Sequence, residues 1–229
     1  MTQAELVWVE KESPTAKSVR NTLLGCGVLS SLAYIGADIV AAMSWHSYSY
    51  ADQSISELFA IGSPVRWIFR LVPYSPLVIA FGIGVWWSAG RRRGLRISGT
   101  LIVFYGVVSQ VASNFPMHLR GAAGSLTDTM HIIMTMVLVF LILLFIGLGS
   151  TAAGKWFRLY SVGTIVTLLF FGALAGMQGP RLAANLPTPW MGVMERINVY
   201  SSMLWVVTLG VILLRDANKN RAENKSKML

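Results

Sequence analysis

Two of the chain's three histidines and one of its ten acidic residues fall between His118 and His131. Asp128 and His131 are three residues apart, so on a helix both side chains leave one face within a turn. A carboxylate beside an imidazole raises its basicity, fixes its tautomer or completes a metal's coordination. If the segment around His118 folds inward, His118, His131 and Asp128 form a three-ligand set with an open position, as a catalytic zinc requires. Neither HExxH nor HxxxH is present, so the spacing assigns no metal. A bundle haem needs two axial histidines on facing helices and a porphyrin slot, and no cofactor is expected. Asp128 also has a structural reading. Ser125 precedes it by three residues, which makes a capping box with Asp in place of Glu, and an acid in the first turn complements the helix dipole.

Further candidates lie elsewhere in the chain. Asp52, Ser54 and Ser56 can start a short helix whose apolar side is Ile55, Leu58, Phe59 and Ile61, lying on or dipping into the interface as a lid. On such a lid Glu57 is expected to have a raised pKa suited to proton donation. Asp38 and Arg70 sit inside apolar stretches, where lipid penalises an unpaired charge, and Asp38 is expected to meet Arg70 or another inward polar group. Pro73 and Pro76 should bend their segment and free carbonyls for neighbours or water. Glu195 suits a helix N-terminus, and Arg196 at headgroup depth can bind a phosphate. The catalytic candidates are therefore His131, Asp128, Glu57 and Asp38. The ligand-binding candidates are His118, Arg196, Glu195, Arg70 and Ser56.

The elements that must position these groups follow from composition. With 54% hydrophobic and 13% charged residues, the 229-residue chain is an integral membrane protein. Spanning a hydrocarbon core takes roughly 20 helical residues. Six stretches qualify: Val19 to Ser44, Trp67 to Ala89, Ile97 to Phe115, Asp128 to Ser150, Leu159 to Met177 and Ile197 to Leu214. Each must be helical, because lipid cannot satisfy an open strand edge. The expectation is an all-α bundle: a cytoplasmic segment over residues 1–18, a six-helix domain over 19–215 and a basic tail over 216–229, fraying into disorder.

Fourteen of the nineteen Lys and Arg residues fall on one side, including Lys11, Arg91, Arg92, Arg93, Arg96, Lys155, Arg158 and Lys227. The positive-inside bias puts both termini in the cytoplasm. Anionic lipid headgroups can neutralise the net charge of +9, so no nucleic-acid partner is implied. Trp45, Trp67 and Trp190 mark the outer interface, and Trp86, Trp87 and Trp156 the inner one. The three glutamates ahead of the first span argue against a cleavable signal. Cys26, the one cysteine, reads as a small apolar residue. The connections are short on the basic side and long on the other, where function is expected to sit.

Gln53-Ser-Ile-Ser-Glu-Leu58, Asn114-Phe-Pro116, Asp128-Thr-Met-His131, Met194-Glu-Arg196 and Leu204-Trp205 together resemble the DUF998 family of six-helix prokaryotic membrane proteins. The resemblance implies a Ser-Glu-Leu element, a Phe-Pro motif, a histidine on the next helix and an arginine leading into the last one. Met117-His118 stands where the family often carries an acid. The layout also loosely resembles a eukaryotic six-helix family of autophagy modulators and GPI-lipid remodelling factors. The expected function is binding of a membrane lipid or small amphiphile in an outward-facing polar pocket of a bacterial inner-membrane protein. The alternative is an enzyme acting on a lipid or isoprenoid, either a metal- or His-assisted hydrolase or an acid-initiated cyclase with an aromatic-walled cavity.

Overall fold

Lipid leaves the chain no choice but to satisfy its backbone internally, and the computed structural model is correspondingly helical. It describes residues 13–226, with side chains through Asp216. Helix α1, Pro14–Ser44, starts at a Ser13 cap that accepts the Ala16 amide at 3.1 Å. A short helix α2, Ile55–Leu58, follows in the first long connection. The second span is broken into α3, Arg66–Arg70, and α4, Tyr74–Ser88, because Pro73 has no amide to continue the ladder. That is the bend expected there. Then come α5, Arg93–Ala112, and α6, Leu126–Gly149, which ends in a 3-10 turn, Ser150–Ala152. The chain closes with α7, Lys155–Gly176, a short α8, Gly179–Ala183, and α9, Met191–Ser226.

Six of these stretches are long and apolar enough to cross a membrane. Among the described residues there is no strand, only an isolated parallel bridge between Ile61 and His118. Some boundaries differ from expectation. The first span begins earlier, at Pro14, because a proline is well suited to a first helical position. The third ends at Ala112 rather than Phe115, one turn before Pro116. The tail expected to fray after Arg215 continues α9 as helix to Ser226. Residues 1–12 and 227–229, including Lys11, Lys227 and the glutamates ahead of the first span, lie outside the described residues.

The helices pack in an arc, α6–α5–α4–α1–α9–α7. Glycines set the tightest seam, between α4 and α5. A Cβ on Gly82 would lie 2.7 Å from the Val103 amide nitrogen, and one on Gly99 2.6 Å from that of Trp86. Small residues let membrane helices approach to the dispersion contacts that hold them, since lipid supplies no hydrophobic drive. The two ends of the arc, α6 and α7, are consecutive but touch each other far less than their other neighbours. Towards the basic end they are drawn together by α9. Trp205 is fully buried there, 5.7 Å from the rings of both Phe145 on α6 and Phe157 on α7, and its Nε1 donates to Ser161 Oγ at 2.8 Å. The bundle is thus closed around Trp205 and looser towards the long connections.

Tryptophans are exposed at both ends of the spans: Trp67 and Trp190 at the long-connection end, Trp86, Trp87 and Trp156 at the basic end. Arg96 lies 5.4 Å from the Trp86 ring centre, and Lys155 5.5 Å from that of Trp156. Such pairs suit an interface where one side of a side chain is apolar and the other wet.

Candidate functional site

The polar groups of the long-connection end form three linked networks. The deepest is centred on Arg196, at the entry of α9. Its Nε and Nη2 donate to the two Asp38 oxygens at 2.9 and 2.8 Å, a two-pronged ion pair in which Arg196 is 4% and Asp38 0% exposed. Nη2 also donates to Tyr48 Oη at 2.9 Å, and Nη1 to the carbonyls of Tyr50 and Gly192 at 2.7 and 3.2 Å. The guanidinium lies 3.5 Å from the Tyr50 ring centre. Tyr200 completes the shell by donating its hydroxyl to Asp38.

This arrangement settles one expectation and corrects another. Of the partners expected for Asp38, Arg70 or another inward polar group, it meets the second, Arg196, while Arg70 is exposed on α3; depth along a helix does not reveal which way a side chain faces. Arg196 was expected to bind a phosphate, but its donors are used inside the protein, tying α1, the first long connection and α9 together.

Gly192 makes that junction possible. A Cβ there would sit against the Gln53 carbonyl and 2.5 Å from the Tyr50 carbonyl, the groups that Arg196 gathers. Gly192→Ala is therefore expected to cost about 1–3 kcal/mol, as overpacking does. A lowered thermal midpoint of the detergent-purified variant checks it.

The second network organises α2. Ser54 and Glu57 form a capping box: Glu57 Oε2 accepts the Ser54 amide at 2.9 Å, while Ser54 Oγ accepts the Glu57 amide at 3.3 Å. Glu195 reaches over from α9, accepting the Ile55 amide at 2.6 Å and the Ser56 hydroxyl at 3.3 Å. It serves the start of α2 rather than that of its own helix. Arg120 binds Glu57 with two prongs, Nε to Oε1 at 2.7 Å and Nη2 to Oε2 at 2.8 Å. Burial pushes the Glu57 carboxyl up, but Arg120, the Ser54 amide and Gln53 together outweigh burial and hold it below its ordinary value. The raised pKa expected of Glu57 is thus reversed by its guanidinium partner. Of the two placements expected for α2, on the interface or dipping into it, the helix takes the inward one: Ile55 and Leu58 are buried with Ala37, Ala41 and Ile68. Thr188 joins in, accepting from Arg120 Nη2 at 3.2 Å and donating to the Asp52 carbonyl at 2.7 Å.

The third network holds the histidines. The capping box read from Ser125 and Asp128 is present. Asp128 also accepts the His118 amide at 2.7 Å and lies 3.1 Å from His118 Nδ1. His131 turns elsewhere, with Nδ1 3.1 Å from the Phe115 carbonyl. A carbonyl only accepts, so Nδ1 carries the proton. The three-ligand set of His118, His131 and Asp128 does not assemble, and no other group of three or more His, Cys, Asp or Glu side chains suited to a metal occurs among the described residues. His46 is exposed beyond the end of α1.

Beneath these networks runs an aromatic wall. The Tyr34 ring lies 5.2 Å from Tyr74 and 5.6 Å from Phe69; Phe69 lies 5.2 Å from Phe59, which lies 6.2 Å from His131. The Tyr74 and Tyr105 hydroxyls are 3.1 Å apart. The Tyr34 hydroxyl and His131 Nε2 bond to no described group, and both residues are partly buried. Tyr34, Tyr48, Tyr50, Arg120, Thr188 and Tyr200 were not singled out as site residues. One signal was there: each of the five basic residues off the basic side costs free energy near lipid unless an acid answers it.

The fold and these networks define a six-span helical membrane protein whose long connections are locked over the bundle by buried ion pairs. The chain belongs to DUF998, a family described as proteins of unknown function, whose sequence profile matches residues 28–212. No curated protein and no solved structure gives a significant match. The segments that carried the resemblance interlock: Ser56 with Glu195, the Phe115 carbonyl with His131, and Arg196 with the connection preceding Ser54.

Proposed function

We propose that the protein binds a membrane lipid or similar amphiphile in the long-connection half of its bundle, in a bacterial inner membrane with both termini cytoplasmic. The observation that carries this reading is the pair of polar atoms without a protein partner, Tyr34 Oη and His131 Nε2, in an otherwise aromatic wall. A ligand site of that kind is mostly apolar with a few placed polar groups. The sparse contact between α6 and α7 supports a lateral way in from the bilayer. The orientation is supported by Arg91, Arg92, Arg93, Arg96, Lys155 and Arg158, all gathered at the short-connection end.

The test is lipid carried through purification. Two hydrogen bonds at about 1 kcal/mol each correspond to roughly a tenfold or greater loss of affinity. Tyr34→Phe with His131→Leu should therefore lower the lipid-to-protein ratio measured by mass spectrometry by about that factor. An unchanged ratio in the folded variant refutes the reading.

A second reading has one observation in its favour. With Nδ1–H held by the Phe115 carbonyl, a neutral His131 has a basic Nε2 with no protein partner, as a general base in a lipid hydrolase would need. Water-dependent turnover of a lipid that disappears in His131→Gln would establish it. The acid-initiated cyclase has less support, because Asp38 and Glu57 are engaged by guanidinium groups and Asp128 by its cap and His118.

A further inference from the structure

A separate cleft of about 470 Å³ lies beyond the span ends, where the first long connection meets the segments before α6 and α9. Arg120, Arg181 and Asp52 line it, with Ser49, Gln53 and Thr188 between them. Its donors are unevenly used. Arg120 spends Nε and Nη2 on Glu57 and Thr188, while its Nη1 bonds to no described group and its side chain remains 22% exposed. Arg181 is exposed and spends Nε on the Pro187 carbonyl at 2.7 Å; among the described residues its Nη1 and Nη2 meet no acceptor and no carboxylate pairs with it. These free N–H groups are suited to phosphate oxygens.

Charge decides what kind of phosphate. Glu57 balances Arg120, and Asp52 balances Arg181 in sum. A dianionic phosphate would leave the cleft with an uncompensated double charge. Each Asp52 oxygen has one protein donor, the Trp190 amide at 2.9 Å on Oδ1 and the Ser49 hydroxyl at 3.0 Å on Oδ2, so each can accept one more. We infer that this cleft takes the headgroup of a zwitterionic phospholipid, its phosphodiester on Arg120 Nη1 and Arg181 and its ammonium on Asp52. The site is distinct from the aromatic wall and rests on the lipid reading only for the source of the headgroup.

The experiment titrates the purified full chain, in non-ionic detergent, with phosphatidylethanolamine, with phosphatidylglycerol, and with water-soluble glycerophosphoethanolamine, reading affinity by native mass spectrometry and by the ligand-dependent thermal midpoint. Phosphatidylethanolamine is expected to bind about tenfold more tightly than phosphatidylglycerol, which lacks the ammonium, and Asp52→Asn should erase that difference. Arg181→Gln should weaken both lipids by a similar factor, with Arg181→Lys between it and the parent because an ammonium cannot reproduce the fork. Equal binding of the two lipids by the parent protein, or undiminished binding by Arg181→Gln, overturns the assignment. Glycerophosphoethanolamine binding as tightly as the lipid overturns the lipid source and leaves a site for soluble phosphoesters. Tyr34→Phe with His131→Leu should keep the headgroup preference; its loss there would move the ligand into the bundle and overturn the cleft.

Discussion

Arg196→Met is expected to destabilise the protein by about 3–5 kcal/mol, the cost of breaking a buried ion pair by removing one partner. The Asp38 carboxylate would be left with no exposure and no cation, and Tyr200 alone cannot replace two charged donors. The Tyr50 carbonyl would lose its donor as well, and the Gln53 carbonyl would keep only that from the Tyr48 hydroxyl. Adding Asp38→Leu to Arg196→Met separates the two effects. Replacing both charges with apolar groups should recover much of the unfolding midpoint. It should not restore protection of the connection between α1 and α2 against limited proteolysis, because the loop carbonyls remain without Arg196. Full protection in the double variant would show that Arg196 does not anchor the loop. An unaltered midpoint in Arg196→Met would show that the pair carries no stability.

Glu57→Gln is expected to cost about 3 kcal/mol near neutral pH, towards the low end for a buried pair because Arg120 remains 22% exposed. Its pH signature has a definite sign. Glu57 titrates in the folded protein below its ordinary value of 4.5. The folded state therefore binds fewer protons at this site than the unfolded chain, and the stabilisation is complete above that ordinary value. It is lost as pH falls through the lower folded value. Acid titration of the unfolding midpoint should show a steeper decline in the parent protein than in Glu57→Gln. Parallel curves for the two would mean that Glu57 gains nothing from Arg120 on folding.

What could be read from the sequence divides along physical lines. The six spans were legible because hydrocarbon forces every apolar stretch of sufficient length into a helix. So was the Ser125–Asp128 cap, a contact between residues three apart, and the break at Pro73, which follows from a missing amide. Local chemistry of this kind needs no knowledge of neighbours. The partners of Asp38, Glu57 and Glu195 were different. Hydropathy gives the depth of a charge but not the azimuth of its helix, so Arg70 and Arg196 were equal choices for Asp38. Glu195 caps a helix 140 residues away from it in the chain, through Ile55. The Arg120–Glu57 pair joins two connections with no periodicity to orient either.

The burial of Trp205 between α6, α7 and α9 has a consequence for traffic through the bundle. Under the lipid reading proposed above, a ligand entering from the long-connection side would stop at Trp205 and leave by the face through which it arrived. Its occupancy would then equilibrate with one leaflet and the solution next to it. Passage to the basic end would first require breaking the contact between Trp205 and Ser161.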